Sequence, residues 1–215
     1  EYKKIAQEHR IPITTVTDSH RHSDHVSGAR SIARDTKAEI FLNDKDEYAF
    51  PFNKLLDDDI LECGDAEIKV LHTPGHTKGS TCLLVDKRYL LAGDTLFVRG
   101  VARPDLGNKT DEYASDLHES YRKIRNLGNV VVLPGHVETS DIHFDRLVDA
   151  LSAEIMSHSV FSLSKEEFVK AVTANMPQKP PNFDIIIQIN KGLMQPDIGY
   201  IEALEEGPNR CVSRL

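Results

Sequence analysis

Directly after the apolar run Ile13-Thr14-Thr15-Val16 the chain reads Thr17-Asp18-Ser19-His20-Arg21-His22-Ser23-Asp24-His25. Three imidazoles and a carboxylate thus crowd into six positions. Such a segment is constrained twice over: the apolar run predicts a strand, and the loop it delivers must place several metal-ligand types side by side. Imidazole nitrogen and carboxylate oxygen are the donors that borderline divalent metals take. Surface histidines are common and this chain has ten, but His-x-His-x-Asp-His followed at once by the helix start Val26-Ser27-Gly28-Ala29 is specific as a motif.

The same design recurs downstream. Apolar runs end beside glycine and then offer a ligand at Val70-Leu71-His72-Thr73-Pro74-Gly75-His76, at Leu90-Leu91-Ala92-Gly93-Asp94 and at Val131-Val132-Leu133-Pro134-Gly135-His136. A strand fixes position, and glycine lets the backbone turn sharply into a shared cavity. One such ending is usually only a turn; four in one chain predict a single metal site.

Between these endings strands and helices alternate. Strands are predicted at Ile13–Thr17, Glu39–Leu42, Ala66–Leu71, Ser80–Asp86, Arg88–Ala92 and Asn129–Leu133, with a tight turn near Asp86-Lys87. Helices are predicted at Val26–Thr36, capped by Ser23 or Asp24, at Asp111–Leu127, closed by Gly128, and at Arg146–Met156. Residues Asp44 to Asp59 form a polar connection without a clear period. From Ser164 the character changes: Ser164 and Glu167 form a capping box, and Pro177, Pro180, Pro181 and Gly192 break the remaining chain into short pieces. The pattern predicts an α/β sandwich with its ligands on loops at one sheet edge, as residues 1–163, and a helical appendage packed on it, residues 164–215.

A formal charge of −8, with no run of Lys or Arg, excludes a nucleic-acid footprint. No apolar stretch reaches the roughly 18 residues of a membrane span, and no signal-peptide pattern opens the chain. Cys63, Cys82 and Cys211 are odd in number and far apart, which fits reduced thiols and a cytoplasmic location. No Cys-x-x-Cys pair is present for a zinc ribbon. Oligomeric state is left open, a homo-oligomer included.

The order His-x-His-x-Asp-His, Pro-Gly-His-Thr, Gly-Asp, Gly-His resembles the metallo-β-lactamase superfamily, and implies its αββα sandwich. Gly93-Asp94-Thr95-Leu96-Phe97 resembles the glyoxalase II and persulfide dioxygenase branch. The stretch Val98-Arg99-Gly100-Val101-Ala102-Arg103-Pro104-Asp105-Leu106, and the later Lys179-Pro180-Pro181-Asn182-Phe183 and Pro208-Asn209-Arg210-Cys211, are most similar to persulfide dioxygenases. Members of the superfamily usually carry a strand hairpin ahead of the helix that opens this chain, so the resemblance implies that the N-terminal strands are missing here.

Two chemistries use the same residues. With His20, His22 and His76 on one metal, Asp24, His25 and His136 on a second, and Asp94 between them, the set suits a dinuclear zinc hydrolase of glutathione thioesters. The persulfide dioxygenase resemblance implies one Fe(II) on His20, His76 and Asp94, with His22, Asp24, His25 and His136 orienting ligands and waters around it. That reading makes the chain oxidise glutathione persulfide, or a similar small persulfide, with O₂ to sulfite and thiol, and it is preferred because the segment after Asp94 is arginine-rich. A metal-binding scaffold without catalysis is the remaining alternative. Arg99 and Arg103 are expected to anchor a substrate carboxylate or to order the loop. Tyr113 is a candidate for lying over the site, and Cys211 for a sulfur-handling thiol or an inert buried residue. Cys63 and Cys82 are expected in the core, and His9, His72, His118, His143 and His158 outside the site.

Overall fold

Strand β1 (Thr15–Thr17) runs from solvent toward the ligand loop, and helix α2 (Ala29–Thr36) returns the chain to β2 (Glu39–Leu42), which pairs parallel to β1. The computed structural model describes residues 1–215 apart from 108, 138–151, 175, 177, 196, 207–210 and 214–215. Helix α1 (Tyr2–His9) precedes β1, and β3 (Asn53–Lys54) completes a three-stranded sheet in the order β1-β2-β3. A second sheet is built from β4 (Ile60–Cys63), β5 (Ala66–His72), β6 (Thr81–Val85), β7 (Tyr89–Gly93) and β9 (Val131–Pro134), side by side in that order. All its pairings are antiparallel except β7 with β9, because α3 (Thr110–Arg125) carries the chain back across the sheet between them.

Alternation along β5 and β6 divides the core in two. Leu71, Cys82 and Leu84 point to one face with Leu90 and Ala92, where Leu117, Tyr121 and Ile124 of α3 and Phe168 and Val172 of α5 (Lys165–Ala174) cover them. Val70 and Leu83 point the other way, onto Leu55 and Phe41 beside the first sheet. Period-two alternation thus makes one sheet the middle of two hydrophobic contacts. The layers are α3 and α5, the five-stranded sheet, the three-stranded sheet, and α2, which gives the expected αββα sandwich. The β6–β7 turn has Asp86 at φ 48° and Lys87 at φ 55°, the left-handed pair of a tight turn, closed by the Arg88 N–H donating to the Val85 carbonyl at 3.0 Å.

Several boundaries differ from the sequence expectation. Helix α2 starts at Ala29, not Val26, and neither Ser23 nor Asp24 caps it: its first turn is met by Ser27, whose Oγ accepts from the Ala29 N–H at 3.1 Å. Asp24 is engaged by His25 and His136 instead. Strand β3 falls in the stretch read as irregular, and β4 in residues assigned to no strand from the sequence. Helix Arg146–Met156 is described only as α4 (Ser152–Ile155), since residues 146–151 lie outside the described residues, as does His143. The capping box of α5 is present, with Ser164 Oγ accepting from the Glu167 N–H and Glu167 Oε2 from the Ser164 N–H.

The segment after residue 163 is more than a helical appendage. Helices α6 (Phe183–Lys191) and α7 (Ile198–Leu204) pack Ile186, Ile189 and Leu204 against Val26, next to the ligand loop. The end of the chain forms β10 (Val212–Ser213), antiparallel to β8 (Val101–Ala102). Among the described residues no helix is long and apolar enough to cross a membrane.

Candidate metal centre

Each ligand-bearing loop is fastened from behind before its side chain enters the site. The loop after β5 lies on α3: Ser120 Oγ donates to the Pro74 carbonyl at 2.7 Å, and a Cβ on Gly75 would sit 2.5 Å from Leu117 Cβ. With φ at +143° as well, position 75 admits only glycine in practice. The loop after β7 turns at Gly93, φ +48°, where a Cβ would collide with Ser19. The Gly93 carbonyl then accepts from the Gly135 N–H at 2.7 Å, which joins the β7 and β9 endings. The β1 loop is tied to the start of β6 through Ser19, whose carbonyl accepts from the Thr81 N–H at 2.8 Å.

These constraints bring His20, His76 and Asp94 together, all of them buried. His20 Nε2 lies 3.8 Å and His76 Nε2 3.5 Å from the same oxygen, Asp94 Oδ2, and the two rings meet edge-on with centroids 4.8 Å apart. The far nitrogens are already committed. His76 Nδ1–H donates to the Arg103 carbonyl at 3.0 Å, and His20 Nδ1 pairs with Ser19 Oγ at 3.0 Å. Both Nε2 atoms are buried and make no hydrogen bond. Buried polar atoms left so are rare and call for a ligand. Burial, then the neighbouring His22, lowers the His20 pKa well below the usual imidazole value, so its nitrogen is held neutral, as a ligand must be. Burial alone would raise the Asp94 carboxyl. The close pairing with His136, helped by the facing imidazoles of His20 and His76, outweighs it and holds Asp94 below the usual carboxylate range. Two imidazoles facing one carboxylate, with these donor atoms all within 4.8 Å of one another, are a fitting donor set for a transition metal.

The other expected residues gather beside this trio in a different condition. Asp24 accepts from both neighbours: His25 Nδ1 lies 3.2 Å from Oδ1, and His136 Nε2 3.0 Å from Oδ2. His136 Nδ1 also reaches Asp94 Oδ1 at 2.9 Å, so this ring bridges the two carboxylates. Burial works against the His136 imidazolium, yet its bonds to Asp24 and Asp94 prevail and its pKa is pushed up to about 10. The His25 pKa is raised as well, by its hydrogen bond to Asp24. His22 stacks between the two groups, its ring centroid 4.3 Å from that of His20 and 4.1 Å from that of His25.

Arg103 calls for a correction. It is 0% exposed; Nε and Nη2 grip both oxygens of Asp105 at 2.7 and 2.8 Å, and Nη1 donates to the Gln178 carbonyl at 2.9 Å. A guanidinium so committed orders the loop and aims its own carbonyl at His76; it does not face a substrate. Arg99 is exposed on the same loop. Tyr113 is half-buried, and Lys78 stacks on its ring at 4.9 Å. Cys211 is buried with its sulfur in one group with Asp24 and His136, all three donor atoms lying within 4.8 Å of one another. Burial first, then Asp94 and Asp24, raise its thiol pKa. Cys82 is in the core as expected, but Cys63 is exposed. His72 and His118 bond the Lys78 and Leu163 carbonyls, away from the trio. Pro208-Asn209-Arg210 lie outside the described residues.

The sequence reading missed Asn190. Buried in α6, it donates through Nδ2 to the carbonyls of both His22 and His25 at 2.9 Å and accepts from the Ser27 N–H, also at 2.9 Å. Its only signal in the sequence is an amide set beside the apolar stripe Ile185-Ile186-Ile187-Gln188-Ile189.

The profile of the metallo-beta-lactamase superfamily matches residues 2–136. A hydroxyacylglutathione hydrolase of Methylobacillus flagellatus is 29% identical over 207 residues, covering 94% of this chain and 78% of that enzyme. Among solved structures, ETHE1 from Myxococcus xanthus superposes with a TM-score of 0.76 at 27% identity, covering 89% of this chain and 82% of that one. A metallo-beta-lactamase from Staphylococcus aureus gives a TM-score of 0.78 at 27% identity, over 88% of this chain and 61% of that one.

Proposed function

The chain belongs to the metallo-β-lactamase superfamily, and on that premise we propose that it is an iron-dependent persulfide dioxygenase, using O₂ to convert glutathione persulfide, or a similar small persulfide, to sulfite and thiol. One observation carries the choice of a single metal. The two orphaned Nε2 atoms face one carboxylate oxygen in the buried trio, whereas both oxygens of Asp24 are taken by His25 and His136. Two histidines and one carboxylate leave coordination positions open, the arrangement suited to ferrous oxygenases.

His20, His76 and Asp94 would hold Fe(II), and bound there it supplies the activation of O₂ and the oxidation of sulfur. The chain's own residues supply geometry. Ser19 and the Arg103 carbonyl orient the two imidazoles, and Asp105 keeps Arg103 in place. His136, protonated between Asp24 and Asp94, holds both carboxylates ionised and is placed to pass a proton at Nδ1 or Nε2. Exposed Arg99 on the loop after Asp94 is the group assigned to a substrate carboxylate. The glutathione carrier is supported by relatives named for glutathione chemistry. Residues 1–163 form the catalytic part in this reading, with 164–215 packed on it, and a cytoplasmic location is proposed with it.

Oxygen uptake on adding glutathione persulfide to the protein reconstituted anaerobically with Fe(II) tests this, with sulfite measured as product. The expected result is uptake and sulfite in step. Hydrolysis of S-lactoylglutathione by the zinc-loaded protein, with no oxygen uptake by the iron-loaded one, would overturn it in favour of the dinuclear hydrolase.

A further inference from the structure

Asp46 sits in a short 3-10 turn, Asp44–Asp46, between β2 and β3, far from every ligand motif in the sequence, yet it is 1% exposed. Its carboxylate takes three donors. Oδ2 accepts from the Arg21 N–H at 2.8 Å and from Thr77 Oγ1 at 2.9 Å, and Oδ1 accepts from the Gly79 N–H at 2.9 Å. The Arg21 guanidinium returns to the Asp46 carbonyl. Arg21 lies between His20 and His22, and Thr77 follows His76 directly. One side chain therefore holds the backbone of the first ligand loop and the loop of the second.

The fit leaves no slack: a Cβ on Gly79 would lie 2.6 Å from Asp46 Cγ, so the loop backbone rests on the carboxylate itself. Hydrogen bonds to an ionised acceptor are about twice as strong as neutral ones, and three of them converge here. We propose that Asp46 is a positioning residue of the metal centre, clamping the His20 and His76 loops at the separation the metal needs. Ligand-orienting groups behind a metal typically contribute 10–100-fold to its affinity. The inference rests on His20, His76 and Asp94 being a metal site, and on nothing about iron or the reaction.

The test is anaerobic titration of the purified chain with Co(II), read by the visible ligand-field spectrum, for wild type, Asp46→Asn and Thr77→Val. Asn keeps the shape of Asp46 but loses the charge and turns an N–H₂ toward one of the three donors. Asp46→Asn is expected to weaken Co(II) binding about 10–100-fold and to shift the ligand-field bands at saturation. A residue that only stabilises the fold would leave the saturated spectrum unmoved. Thr77→Val removes one of the three donors to Asp46, together with the Thr77 Oγ1 contact to Ser80 Oγ, and is expected to shift the bands in the same direction by less. Wild-type affinity and bands in Asp46→Asn would overturn the inference. If Asp46→Asn does not fold, unchanged affinity and bands in Thr77→Val overturn it instead. Failure of wild type to bind Co(II) would overturn the metal-centre reading itself, a distinguishable result.

Discussion

His20, His76 and Asp94 lie buried with two imidazole nitrogens facing one carboxylate and bonded to nothing else. A few ångströms away Asp24, His25 and His136 share their donors and acceptors among themselves, and the His25 side chain is 45% exposed. The two groups have the same residue types and share the loop after β1. What separates them is the carboxylate: both oxygens of Asp24 are engaged by His25 and His136, whereas the Nε2 atoms of His20 and His76 face Asp94 without a hydrogen bond. A cluster of histidines in a sequence therefore does not count metals. The count depends on which nitrogens have been left without partners, and on what holds the far side of each ring.

The largest effect expected from this contrast is at Asp94, which faces both histidines and is ion-paired with His136. Asp94→Ala removes the only anionic ligand of the trio. Metal content after desalting should fall close to zero, and turnover with it, which elemental analysis and an oxygen electrode would record. Normal metal content in Asp94→Ala would break the division between the two groups.

Asp24→Ala should be milder. It removes the centre of the second group, leaving His25 and His136 without their shared acceptor, and should cost on the order of 10–100-fold in metal affinity or activity while the site still fills. A Kd from metal-buffer titration separates this from the complete loss at Asp94.

Next in size is Asn190→Leu, which strips the His22 and His25 carbonyls of their donor and leaves the Ser27 N–H unmet. Buried groups orphaned in this way cost about 1–3 kcal/mol, measurable by urea unfolding of the metal-free chain. A change near zero would mean that α6 does not brace the ligand loop.

The last effect concerns pH. His136 has a folded pKa of about 10, above the ~6.5 of an unfolded chain. Its contribution to stability is therefore complete below about pH 6.5 and disappears as pH rises toward 10. The Tm of the metal-free chain should fall between pH 6.5 and 10, and His136→Gln should flatten that fall. A wild-type Tm level across the window would contradict the assignment of His136 as the protonated bridge.

How much of this was legible in the sequence depended on how far away each partner lay. Strands β2, β5, β6 and β7 and the α3 face Leu117, Tyr121 and Ile124 follow from local period and appear within a residue or two of expectation. The ligand residues were equally legible, since strand, glycine and ligand are neighbours in the chain. Strand β4 was not, because only its pairing with β5 across a turn at Gly64 makes Ile60–Cys63 a strand. The late start of α2 was hidden for a similar reason: residues 22–27 are held by Asn190, 165 positions beyond His25. Arg103 read as either a substrate anchor or a residue that orders the loop; its burial against Asp105 and Gln178, which favours the second, is a tertiary fact. Asp46 carries no local mark at all.

The central claim, one metal per chain with the second group as its support, is tested most directly by counting metal. Wild type and His25→Ala should be reconstituted separately with excess Fe(II) and excess Zn(II), desalted, and measured by elemental analysis against protein mass. The account predicts about one iron per chain in both proteins, with His25→Ala binding it more weakly. Two tightly held zinc ions in wild type, falling to one in His25→Ala, would contradict it.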